Sequence, residues 1–170
     1  MSILRWLGLE RDGGSAAVDS LGVVEQALAG LDPARARYLA CFAYILSRVA
    51  RADSEVGTEE SQVMAQIVAE RGGLPPEQAA LVVQIAAREG LQHGGTQDFL
   101  VTREFAALAD RPAKLALLEC LFAVSAADHS IDTVEDNAIR QITSEIRLEH
   151  ADFIAARAAH VRHLKVLKKS

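Results

Sequence analysis

Two short acidic runs hold the side chains of this sequence best suited to binding something. Asp53, Glu55, Glu59 and Glu60 fall within eight residues, and Asp128, Asp132, Glu135 and Asp136 form a second group. Gathered carboxylate oxygens are the ligands that hard divalent cations such as calcium or magnesium take. On that chemistry Asp53, Glu55, Glu60, Asp128, Asp132 and Glu135 are candidate metal ligands. Glu59 and Asp136, with His129 inside the second run, are candidates for a surface that meets a partner. Neither run is an EF-hand, because the stretch is too short and lacks regularly alternating ligands closed by a glutamate at the twelfth position. His93, His150, His160 and His163 do not make the helical pair with an intervening glutamate that zinc hydrolases use. There is no glycine-rich phosphate cradle between a strand and a helix, and no nucleophile elbow. The sequence therefore supports no catalytic residue, and the expectation is a protein that is not an enzyme.

The two acidic runs belong to one phrase said twice. Arg51 to Glu60 returns as Ala126 to Glu135 at an offset of 75 residues, so that Asp53 falls on Asp128, Val56 on Ile131, Thr58 on Thr133 and Glu60 on Glu135. The same offset carries Phe42 to Leu117, Leu46 to Leu121, Val49 to Val124, Met64 to Ile139 and Ile67 to Ile142, all apolar, although Leu39 falls on Lys114. Apolar character kept on both sides of the phrase marks a folded unit repeated whole. Each copy is a short acidic turn between two helices, with Tyr38–Ala50 and Leu115–Ser125 before it and Glu59–Arg71 and Val134–Arg147 after it.

With these residues set out, the chain resembles the TerB-like family of bacterial tellurite-resistance and stress proteins. The shared signature is Ala-Asp-x-x-Ile/Val-x-x-x-Glu after an apolar helix, found at Ala52–Glu60 and again at Ala127–Glu135. The resemblance runs over roughly Ala34 to Phe153, and Phe99–Leu108 followed by Arg111–Ala127 keeps the family's order before the second turn. This sequence departs from the family where Ser54 and His129 replace a glycine and Ser130 replaces a second acid. The resemblance implies an all-helical fold and a bacterial stress context, and no reaction.

The elements that must position the turns follow from local signals. The 170 residues suffice for one sizeable core, and half are hydrophobic while only 5% are aromatic, so alanine and aliphatic side chains must build it. Alanine favours helix and lets helices approach closely. Asp32-Pro33 reads as an N-cap followed by proline at the first helical position, opening a helix to about Ala52. Gly72-Gly73 closes the next helix, Pro75-Pro76 opens another that stops at Gly90, and Phe99–Leu108 is a further one. Pro112 opens the second repeat, and a last helix runs from about Ala151 into Val166. Val18–Leu31 is amphipathic, and no run alternates with period two as a strand would. The fold expected is all-α, a single domain of about seven or eight helices over residues 18–170 with two helix-turn-helix units related by a pseudo-twofold axis. Residues 1–17 form a short apolar segment and a flexible link.

A net charge of −5 repels a phosphate backbone and argues against nucleic acid. No apolar run reaches the length of a membrane span and no secretory signal is visible, so a cytoplasmic location is expected. Cys41 and Cys120 lie on apolar helices and read as buried thiols. Capping explains much of the acidic turns as well: Thr58 and Thr133 suit N-caps, and Glu59, Glu60, Glu135 and Asp136 suit the first helical turn, where carboxylates complement the dipole. Asp53 and Asp128, five residues before the caps, are not explained that way. Three functional readings remain. The first is a stress-associated module that binds a protein partner through the acidic turns. The second is a divalent-cation sensor. The third is a membrane-peripheral adaptor, like the TerB-like domains of J-domain co-chaperones, which uses Met1–Leu9 and the basic C-terminal helix with Val161, Leu164 and Leu167 on its apolar face.

Overall fold

The computed structural model describes residues 28–49, 58–86, 95–127 and 133–160, without the side chains of 58–61 and 95–97. Among these residues the chain is all-helical, with seven helices and no strand: α1 Pro33–Val49, α2 Thr58–Gly72, α3 Pro76–Ala86, α4 Gly95–Leu108, α5 Arg111–Ala127, α6 Thr133–Glu145 and α7 His150–Ala158. The N-terminal segment, the link after it and the C-terminal basic stretch from Val161 lie outside the described residues, as does any continuation of α1 towards Ala52. No helix among the described residues is long and apolar enough to cross a membrane.

Local chemistry sets the helix starts. The Asp32 carboxylate accepts a hydrogen bond from the Ala34 amide at 3.2 Å, with Pro33 at the first helical position, where its missing amide hydrogen is not needed. Asp110 caps α5 in the same way, accepting from the Ala113 amide at 2.9 Å. The α2 end packs backbone against ring: a Cβ on Gly72 would stand 2.9 Å from Cζ of Phe42, so only glycine lets α2 pass that close to α1. Gly73 then takes φ +68°, the left-handed turn that ends a helix and that glycine adopts without strain. The end of α6 has the same shape without the glycine. Arg147 takes φ +65°, its amide donates to the Ser144 carbonyl at 3.1 Å, and the Leu148 amide reaches back to the Thr143 carbonyl at 3.0 Å. Those two bonds are the Schellman pattern, and Leu74 and Leu148, each one residue past its left-handed turn, are both buried.

The repeat is carried into the packing. α3 packs on α1 and α2, and α7 correspondingly on α5 and α6; α2 crosses onto α5, and α6 onto α1. Exchanging α1–α3 with α5–α7 reproduces these pairings, which is the pseudo-twofold relation the 75-residue offset predicts. The paired positions are buried in both copies: Phe42 and Leu117, Leu46 and Leu121, Val49 and Val124. Met64 and Ile67 are only partly buried, whereas Ile139 and Ile142 are fully so. The second half has an aromatic contact of its own, Phe122 of α5 with Phe153 of α7 at 5.7 Å between ring centroids, whereas Tyr38 of α1 stacks on Phe105 of α4 at 5.4 Å. α4 stands outside the exchange and packs on α1 and α6.

Candidate functional site

Of the residues singled out as metal ligands, Asp53, Glu55, Asp128 and Asp132 lie outside the described residues, as does His129. The helices that bracket the turns are described, and they start where the repeat requires. Thr58 is the first residue of α2 and Thr133 the first of α6, one residue later than the N-cap position expected for them. Glu59 and Glu60 follow in the first turn of α2, and Glu135 and Asp136 in the first turn of α6, where carboxylates meet the unpaired amides and the positive end of the dipole. Among the described residues no three potential ligands come together to hold a metal ion.

Asp136 turns inward. It is buried at 7% exposure, accepts a hydrogen bond from Arg157 Nε of α7 at 2.9 Å and has Arg140 Nη2 at 4.0 Å, one helical turn along. Arg140 in turn lies over the Phe153 ring at 5.3 Å. A carboxylate withdrawn from water needs such partners, so Asp136, expected on a partner-facing surface, is engaged within the domain instead, while its neighbour Glu135 is half-buried. Nothing local in the sequence distinguishes Asp136 from Glu135, because Arg157 lies 21 residues further on.

A second group of charged side chains went unnoticed in the sequence. Near the end of α1, the guanidinium of Arg48 reaches both Glu145, the last residue of α6, at 3.1 Å and Asp98 of α4 at 3.5 Å. The Tyr44 hydroxyl donates to Asp98 at 2.6 Å, and the Thr102 hydroxyl to Glu145 at 2.9 Å. Only 8% of the Arg48 side chain is exposed, against 17% for Asp98 and 12% for Glu145. Burial, and then the hydrogen bond to Asp98, push the Tyr44 hydroxyl well above the usual tyrosine range. The group joins three helices at the last turn before the first acidic run, and along α6 it stands roughly 18 Å from Thr133 at 1.5 Å per residue. The available signal was Arg48 itself, a lone charge within the apolar run Cys41–Ala50.

Cys41 and Cys120 are free and fully buried. Burial pushes both thiols up to about 12, which removes the thiolate that a nucleophilic or metal-binding role requires. The described residues thus define an all-α domain built from two related helix-turn-helix units, whose acidic links are the repeated polar feature. The family model for tellurite resistance protein TerB matches residues 39–158. That is most of the chain, including both repeats, and the chain belongs to the TerB family. No curated protein and no solved structure gives a match.

Proposed function

We propose that this TerB-family chain is a non-enzymatic binding module, and that the two acidic turns are the surface with which it meets a protein partner in a tellurite- or stress-associated setting. The observation that carries this reading is the recurrence of Asp53 as Asp128 at the same point of two helix pairs. Packing accounts for the apolar residues kept in both copies, and the helix dipole accounts for Glu60 and Glu135. Neither accounts for an acid five residues before a helix begins. A carboxylate repeated for neither a packing nor a capping reason is suited to recognition by charge, which sets encounter rate and specificity.

Affinity capture from cells exposed to tellurite tests the reading, comparing the natural chain with the double variant Asp53→Asn, Asp128→Asn and with Glu70→Gln as an exposed control on α2. The expected result is a set of captured proteins reduced about tenfold or more by the double variant, as loss of rim charge on both turns would give, and kept by the control. Identical capture by all three proteins rules the turns out as the contact surface. A rise in melting temperature on adding calcium or magnesium, present in the natural chain and absent in the double variant, would assign the same acids to a cation instead.

A further inference from the structure

We propose that α7 is a strap, a helix held to the domain chiefly by charge, which salt loosens while its counterpart α3 stays packed. The two helices occupy matching places. Their left-handed lead-in residues, Gly73 and Arg147, and their first residues, Pro76 and His150, are both 74 apart, one fewer than the offset of the acidic runs. On that match Ala79 falls on Phe153 and Val82 on Ala156, buried in both copies. The Ala79 amide donates to the Pro75 carbonyl just as the Phe153 amide donates to that of Glu149. Beyond those positions the helices differ. Six of the eleven residues of α3 are buried, and its one charged side chain is Glu77 in the exposed first turn. Of the nine residues of α7, only Phe153 and Ala156 are buried.

What α7 lacks in apolar burial it has in charged contacts to the helices beneath it. Asp152 accepts from the Arg111 guanidinium of α5 at 2.6 Å, where its counterpart Gln78, a neutral acceptor, takes that of Arg35 of α1 at 2.7 Å. Arg157 stands where α3 has the buried Val83, and donates to Asp136 of α6 at 2.9 Å. Arg140 of α6 lies over the Phe153 ring at 5.3 Å. His160, just past α7 and in the place of the buried Ala86, stacks on Phe122 of α5 at 5.8 Å with its Nε2 3.6 Å from a Glu119 carboxylate oxygen. Attraction between exposed charges reaches about 10 Å at 0.1 M salt and only about 3 Å at 1 M, whereas salt does not screen apolar burial. The Arg111 side chain is 61% exposed, so its pair feels that screening. Arg157 and Asp136 are more deeply set, and removing the arginine strands a buried carboxylate. When α7 lifts, the Phe153 and His160 rings leave Phe122, which uncovers an apolar face of α5.

Hydrogen exchange of the intact chain tests this without any partner, so its outcome is separate from that of the capture experiment. Amides of residues 153–158 are compared with their counterparts 79–84 in the natural chain, in Arg111→Gln and in Arg157→Gln. Between about 0.02 and about 1 M sodium chloride, exchange at 153–158 of the natural chain should quicken by roughly threefold or more, with 79–84 changed much less, as opening of α7 alone requires. Arg111→Gln should flatten that salt response, and Arg157→Gln should speed 153–158 by on the order of tenfold even at low salt, again with little change at 79–84. The salt comparison needs no variant and decides the matter if Arg157→Gln does not fold. Salt-independent exchange at 153–158, or an equal rise in both segments, overturns the strap.

Discussion

Asp152 shows how much one carboxylate can organise. It accepts the Arg111 guanidinium at 2.6 and 3.2 Å and the amide of Glu149 at 3.0 Å, which ties the first turn of α7 to the first residue of α5. The Arg111 hydrogen bonds, followed by the backbone amide, hold the Asp152 carboxyl below the ordinary aspartate value of 3.8. A depressed carboxyl contributes stability that is fully present above its unfolded value and is lost as pH falls through its folded one. The difference in unfolding free energy between the natural chain and Arg111→Gln should accordingly stay level from neutral pH down to about pH 5, then shrink as the medium turns more acid. Denaturant melts across the acid limb check this, and a difference that persists unchanged at the lowest pH would show that the pair contributes through packing and not through charge.

The helices differ in how openly they announce their ends. Arg147 occupies a left-handed position with an exposed side chain, so Arg147→Gly relieves backbone strain at the cost of a more flexible unfolded chain. Unfolding free energy should rise by roughly 0.5–1 kcal/mol. Gly73→Ala, where a Cβ meets nothing within 4 Å, should lower it by a similar amount of about 1 kcal/mol through strain alone. Urea denaturation of both variants measures the pair, and a destabilised Arg147→Gly would mean that the arginine side chain holds the turn. The same contrast explains what could be read from the sequence. Asp32-Pro33, Gly72-Gly73 and Pro76 are local signals whose chemistry needs no distant partner, and they place the ends of α1, α2 and α3. The repeat places α5 and α6, and the apolar positions it pairs are buried in both copies except Met64 and Ile67, which are only partly so. Arg147 is no stop signal, and at the 75-residue offset it falls on Gly72, so the matching end of α6 was legible only through the glycine pair that closes α2. Asp136 and Arg48 were opaque for a different reason: their partners arrive from other helices, 21 and up to 97 residues away, and a carboxylate looks the same in a list whether it faces water or an arginine. The acidic turns could be found from the residues alone, because their signal is the repetition itself.

At the scale of the whole molecule, α1 is the helix on which the others converge. It packs against α3, α4, α5 and α6, and twelve of its seventeen residues are buried. The chain has two tyrosines, Tyr38 and Tyr44, and both are on this helix. Tyr38 stacks on Phe105 and is raised chiefly by its burial, while Tyr44 is raised by burial and by Asp98. A hydroxyl whose folded value is raised contributes stability at pH below its unfolded value of 10.0, and loses that contribution as pH climbs towards the folded one. Phenolate absorbance should therefore stay silent past the pH at which free tyrosine ionises, and then appear together with the loss of helical circular dichroism. Phenolate forming in protein that is still fully helical would show that one of the two rings is open to solvent. With no tyrosine elsewhere in the chain, the ultraviolet signature of that residue is an optical readout of the central helix alone, obtained without a label.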